Sequence, residues 1–253
     1  MARQQTDTAP MRHLWDIPTA LVLLTRLPLP RLPDHAFANG ARAVWAYPLV
    51  GLVLGAIASV IAWSAALILP SMIVAGLVLT ALVLLSGAMH EDGLADTVDG
   101  LWGGHDIARR LDIMKDSRIG AYGVLALILA MGLRWLGLAG IGLGGMVAAL
   151  IISRAMMPPL MLALPHARDS GLAHSVGRPA TGPVLIAVLI AALGAIILAG
   201  GPGLVALCVA GGVATGIAAL ARARIGGHTG DILGATQITT EIAVLLTLTA
   251  FLP

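Results

Sequence analysis

Residues 90–123, HEDGLADTVDGLWGGHDIARRLDIMKDSRIGAYG, contain Glu91, Asp92, Asp96, Asp99, Asp106, Asp112 and Asp116, seven of the thirteen acidic residues in the chain. In a helical backbone Asp92, Asp96 and Asp99 stand at i, i+4 and i+7, and at about 100° per residue they share one face. Unpaired carboxylates on one face repel one another, and a divalent cation relieves that repulsion. Carboxylate oxygens suit Mg²⁺, which keeps several waters and takes substrate phosphates as further ligands. Glu91, Asp92, Asp96 and Asp99 are therefore the candidate metal ligands. The same stretch supplies Arg109, Arg110, Lys115 and Arg118 for phosphate oxygens, and Gly93, Gly100, Gly103 and Gly104 where a ligand can approach the backbone. Metal-binding carboxylates beside cations point to phosphoryl transfer. Asp99 and Asp116 are the candidate catalytic carboxylates, Asp116 either completing the metal shell or accepting a proton. Of the cations, Arg109, Lys115 and Arg118 are the candidate phosphate contacts. The plain alternative is a solvated, mixed-charge loop between two membrane helices.

A second group lies near the other end of the chain. Gly226, Gly227, Gly230 and Gly234 surround His228 and Asp231, a backbone suited to close approach by a phosphate or nucleotide. Both side chains are candidate substrate contacts, and the expectation is that this segment closes the same site as the acidic stretch. Glu241 follows inside an apolar segment, where a carboxylate is costly, so a substrate contact or a partner such as Arg154 is expected. His90, His105, His166, His174 and His228 show no zinc-ligand spacing, and surface or capping roles are expected of them.

The elements that must position these groups are membrane helices. Hydrophobic residues make up 58% of the chain and charged residues 11%, where soluble domains carry about a quarter charged. The mean hydropathy is +0.94. The expected fold is all-α, one polytopic transmembrane helix bundle covering residues 1–253, with no polar tract to act as a linker. About seven spans are expected, at 43–69, 71–89, 119–138, 146–164, 184–198, 204–221 and 232–252. Residues 17–24 are too short to cross and are expected to form an interfacial or re-entrant helix. Pro158 and Pro159 should kink the fourth span, and the GGPG at 200–203 should turn the fifth into the sixth. Residues 1–16 show no removable leader pattern. Cys208 stands alone and forms no internal disulfide.

All but Arg134 and Arg154 of the fifteen lysines and arginines fall in the N-terminal segment, the acidic stretch, or the 165–181 and 222–231 loops. The turns at 70–71, 139–145 and 199–203 hold none, which places the charged loops in the cytoplasm. That placement explains the net charge of +2 without nucleic acid, which is not an expected partner. Arg134 is expected near the far interface, snorkelling to water, and Arg154 facing protein, water or an anionic partner.

Four runs carry a resemblance: HEDGLADTVDG at 90–100, LDIMKDSRIGAYG at 111–123, IGGHTGDILGA at 225–235 with Glu241 beyond it, and LTRLPLP at 24–30. Together, in this order, they resemble the adenosylcobinamide-GDP ribazoletransferase family, the cobalamin synthases. The resemblance implies an Mg²⁺-dependent, multi-pass enzyme of the cell inner membrane. Its members join adenosylcobinamide-GDP to α-ribazole or α-ribazole 5′-phosphate, release GMP, and yield adenosylcobalamin or its 5′-phosphate. Expected partners are therefore those two substrates and the lipid bilayer, with a homo-oligomer left open. The DGLAD portion is also similar to the Asp-Gly-x-x-Ala-Arg opening of CDP-alcohol phosphotransferases, but Asp96 stands where that pattern has Arg. A phosphotransferase acting on a lipid acceptor is the competing enzyme reading. A transporter using the acids as an ion site is the competing non-enzyme reading, and it would place them near mid-span.

Overall fold

A computed structural model describes residues 14–37 and 40–251. The leader reading of residues 1–16 falls, over 1–13, outside the described residues. Every regular element among the described residues is a helix.

The nine-residue α1 (Asp16–Leu24) is tied to the start of the first long helix, because the buried Asp16 carboxylate accepts from Arg42 at 2.8 Å and from Trp45 Nε1 at 2.9 Å. A proline-rich loop and the single turn α2 (Asp34–Phe37) lead to a 3₁₀ turn, Ala43–Ala46, and then α3 (Tyr47–Ala66). Helix α4 (Ser71–Ser86) is about 24 Å long by helical rise, short of a full crossing. It continues through an 85° bend into α5 (Met89–Gly103). Two successive left-handed residues make that elbow, Gly87 (φ 65°) and Ala88 (φ 56°). Glycine takes this conformation freely, whereas a residue with a Cβ takes it at a cost. The 24–30 loop braces the elbow, with Arg26 N donating to Leu85 O at 2.7 Å.

Short α6 (Ile107–Ile113) begins at Asp106, whose carboxylate accepts from the Arg109 amide as an N-cap. Next come α7 (Ala121–Ala139), α8 (Leu143–Ala155) and α9 (Met157–Ala163), the last two separated at Met156 just ahead of Pro158 and Pro159. After α10 (Leu172–Val176) the chain enters α11 (Thr181–Ile225), continuous by hydrogen bonding over 45 residues but broken at Gly200 (φ 60°). An unbroken helix of that length would run about 68 Å, more than twice the hydrocarbon thickness. The break folds it into a hairpin, with a Cβ on Gly203 falling 2.2 Å from Ala195 O. Helix α12 (Gly230–Phe251) ends the described chain.

Among the described residues, five helices are long and apolar enough to cross a membrane, six if the bent pair α4 and α5 is one broken span. The Gly200 hairpin gives the longest of them two crossing arms. The architecture is a polytopic all-α bundle, with α8 and α12 at its buried centre and α5 packed against α7 and α12.

Candidate active-site cleft

Helix α5 carries the acidic face and is fastened at both ends. Near its start Glu91 is buried, its carboxylate accepting from Arg134 Nη1 of α7 at 2.6 Å. The same guanidinium donates through Nε to Glu241 of α12 at 2.8 Å. Glu241 also accepts from Gln237 Nε2 at 2.7 Å, and Arg154 Nη1 of α8 lies 4.0 Å away. Four helices, α5, α7, α8 and α12, thus share one buried ion network. Near the end of α5, Asp99 accepts from the backbone amides of Gly120 at 2.6 Å and Gly123 at 2.9 Å. It caps the first turn of α7, whose opening amides have no partner within the helix. Between these anchors Asp92 is exposed and Asp96 half-buried, the two acids of the face whose carboxylates make no hydrogen bond or ion pair among the described residues.

The other wall comes from the far end of the chain. Helices α5 and α12 cross with backbones nearly touching: a Cβ on Gly93 would fall 3.0 Å from Asp231 O, and one on Gly234 would fall 3.2 Å from His90 Cα. The crossing delivers Asp231 to the acidic face, where Asp96 lies within the fields of Asp92, Asp231 and Asp99. Asp231 pairs with Arg168 from the loop after α9 and accepts from Thr229 Oγ1 at 3.1 Å. A cleft opens here. Asp92, Asp231, Arg168, His90, His166, His174 and His228 form its polar wall, and Leu23, Leu24, Met89, Met157, Met161 and Leu172 its apolar wall. His166 sits between the other two loop histidines, its ring centre 4.7 Å from that of His228 and 5.2 Å from that of His174. Burial, then the neighbouring His166, pushes His228 down to about 4, so it is a neutral imidazole at physiological pH.

The Cobalamin-5-phosphate synthase family model matches residues 16–249, a range that takes in both walls of the cleft. The chain belongs to that family. An adenosylcobinamide-GDP ribazoletransferase of Bradyrhizobium diazoefficiens is 45% identical, over 93% of this chain and 94% of the relative. Relatives of the same name from Mesorhizobium japonicum and Xanthobacter autotrophicus are 39% and 46% identical, over 94% and 91% of this chain and 94% of each relative. No solved structure matches the chain.

In this synthase-family chain the expected site residues divide into three groups. Asp92, His228 and Asp231 line the cleft, and Asp96 lies behind that lining, within the fields of Asp92 and Asp231. Glu91, Asp99 and Glu241 are buried in the contacts that hold α5, α7 and α12. Arg109, Lys115 and Arg118 are exposed on and after α6, away from the cleft lining. There Arg118 donates to Asp116 at 2.7 Å, an exposed ion pair that holds that carboxylate down to about 2. The expectation for Arg134 is corrected. It is 2% exposed and turned into the bundle, because a guanidinium at this depth is stabilised by two carboxylates and would be costly facing lipid. Arg168, His166 and His174 did not stand out from the sequence, where one basic loop looks like another. The signal available was that their loop shares a membrane side with the acidic stretch.

The donor set suits Mg²⁺. It consists of hard carboxylate oxygens whose like charges crowd Asp96, with Asp92 and Asp96 uncommitted to protein partners. Among the described residues no group of three or more acidic, histidine or cysteine side chains is placed to hold a metal ion by itself. A cation here would complete its coordination with water and substrate phosphates, as Mg²⁺ commonly does.

Proposed function

We propose that this chain catalyses transfer of the adenosylcobinamide phosphoryl group from adenosylcobinamide-GDP to α-ribazole or α-ribazole 5′-phosphate, releasing GMP and forming adenosylcobalamin or its 5′-phosphate. The observation that carries the reading is the meeting of α5's acidic face with the 228–234 segment in one cleft, within a chain of the cobalamin-5-phosphate synthase family. Asp92 and Asp96 would hold Mg²⁺, with Asp231 beside them. The bound cation would offset charge on the pyrophosphate as the leaving nucleotide departs.

The chain's own residues do the rest. Arg134 and Asp99 fix the two ends of α5, so that Asp92 faces the cleft, with Asp96 one turn along the same face, without rearrangement. The carboxylate left outside the metal shell accepts the proton of the attacking ribose hydroxyl. The apolar wall of leucines and methionines takes the non-polar parts of an amphipathic substrate arriving from the membrane edge. The charged loops face the cytoplasm of an inner membrane, in keeping with the distribution of lysine and arginine.

The test is direct. Purified protein, Mg²⁺, adenosylcobinamide-GDP and α-ribazole are combined, and the mixture is searched by mass spectrometry for GMP and a cobamide. Formation of both supports the reading. A product formed only from diacylglycerol or another lipid acceptor would replace it with the CDP-alcohol phosphotransferase reading.

A further inference from the structure

Among the described residues that line the cleft, Arg168 is the one lysine or arginine. Its neighbours there are carboxylates, imidazoles and apolar side chains. A phosphate entering beside Asp92 and Asp231 is repelled unless a cation offsets it.

Two observations show that the place is built to receive a ligand. Residues 165–167 and 227–229 are joined by reciprocal backbone bonds, His228 N to Pro165 O and Ala167 N to His228 O, each 2.9 Å. Gly227 fits so tightly that a Cβ would fall 2.3 Å from Pro165 O. Arg168 and His228, far apart in sequence, therefore share one rigid platform. The second observation is that His228 is 1% exposed while neither of its ring nitrogens makes a hydrogen bond of ordinary geometry. His90 lines the same cleft at 2% exposure with Nε2 equally unpartnered. Buried polar atoms without partners are costly, and a ligand oxygen would satisfy them.

We infer that Arg168, with His228 beside it, is the cation that takes a substrate phosphate in this cleft, exchanging its present partner Asp231 for that phosphate. The guanidinium has five donors in a planar fork, and its geometry matches a phosphate as well as a carboxylate. Asp231 is not stranded by the exchange, because Thr229 Oγ1 still donates to it. The inference rests on the transferase reading of the cleft and adds the phosphate-binding residue to it. The phosphate belongs either to the nucleotide that leaves or to a phosphorylated acceptor.

The test uses the full chain in detergent micelles, with EDTA present so that no metal bridges ligand and protein. GMP, α-ribazole 5′-phosphate and α-ribazole are titrated separately by calorimetry. Wild-type protein should bind at least one phosphorylated probe, and Arg168→Ala should weaken that binding roughly tenfold to a hundredfold, the scale of a lost hydrogen bond to a charged group. The phosphorylated probe that loses affinity identifies the source of the phosphate. Arg168→Lys should retain more affinity than Arg168→Gln, a comparison that stands if the alanine variant fails to fold. Three results overturn the inference: no wild-type binding of either phosphorylated probe, unchanged affinity in both Arg168→Ala and Arg168→Gln, or an equal loss for unphosphorylated α-ribazole. Unchanged phosphate affinity in a protein that still forms GMP and cobamide sinks this inference and leaves the transferase reading standing. Phosphate binding through Arg168 in a chain that releases no GMP does the reverse.

Discussion

The carboxylate of Asp99 on α5 and the backbone amide of Gly120 ahead of α7 meet at 2.6 Å, and Gly123 adds a second amide at 2.9 Å. A side chain from the acidic face thus serves as the cap of the next membrane helix. The consequence is mechanical: α5 cannot turn about its axis without uncapping α7, so Asp92 and Asp96 keep their aim.

Asp99→Asn should therefore act first on stability. The amide oxygen still accepts a hydrogen bond but brings no charge to the helix N-terminus, and a loss of about 1 kcal/mol is the scale for a weakened cap. Thermal unfolding in detergent should fall while the Mg²⁺ concentration for half-maximal turnover stays within twofold. An unchanged melting temperature with a large shift in Mg²⁺ requirement would instead return Asp99 to the metal.

Asp92→Asn and Asp96→Asn should show the opposite pattern. Both positions lie between the anchors and carry no structural partner, so melting should hold or rise slightly as like-charge repulsion is relieved. Turnover at limiting Mg²⁺ should fall by more than the roughly 10- to 100-fold typical of outer-shell losses. Full activity in either variant at limiting Mg²⁺ would remove that residue from the metal.

Arg134 lies between Glu91 at 2.6 Å and Glu241 at 2.8 Å, with all three side chains buried. Arg134→Ala strips the buried Glu91 of its cation and leaves Glu241 with only Gln237 and the more distant Arg154, and breaking a buried pair in this way costs about 3–5 kcal/mol. The variant should be depleted from the membrane fraction. Glu241→Gln, introduced alongside it, should recover part of the loss, because one stranded charge is then gone. Normal accumulation of the single variant would mean that water reaches the network.

Much of this was legible in the sequence, for identifiable reasons. The spans follow from apolar length, the Gly200 turn and the Met156 break from glycine and proline chemistry, and the shared face of Asp92 and Asp96 from helical periodicity alone. Periodicity could not show that Asp99, on the same face, is consumed by Gly120 and Gly123, because a cap is a contact with another element. Arg134 looked like an interface residue because its partners, Glu91 and Glu241, are distant in sequence and lie on two other helices. Arg168 was hidden for a related reason. What distinguishes it from Arg109 or Arg118 is the backbone pairing of 165–167 with 227–229, a tertiary fact with no local signature.

That same pairing gives the cleft a pH dependence. His228 is held at about 4 from an ordinary 6.5, by burial first and then by the charges of His166 and Arg178. His166 is itself lowered, by burial, His174 and Arg178. The folded protein thus keeps His228 neutral in a range where the unfolded chain binds a proton. Stability associated with His228 is complete above pH 6.5, declines as pH falls toward 4, and levels off below that, once both states are protonated. Unfolding of the purified protein, followed at a series of pH values, should show this decline. His228→Gln, which cannot titrate, should flatten its slope between pH 6.5 and 4 while leaving His166 to contribute a smaller one. An unaltered slope in the variant would show that His228 is already protonated, or already solvated, in the folded protein.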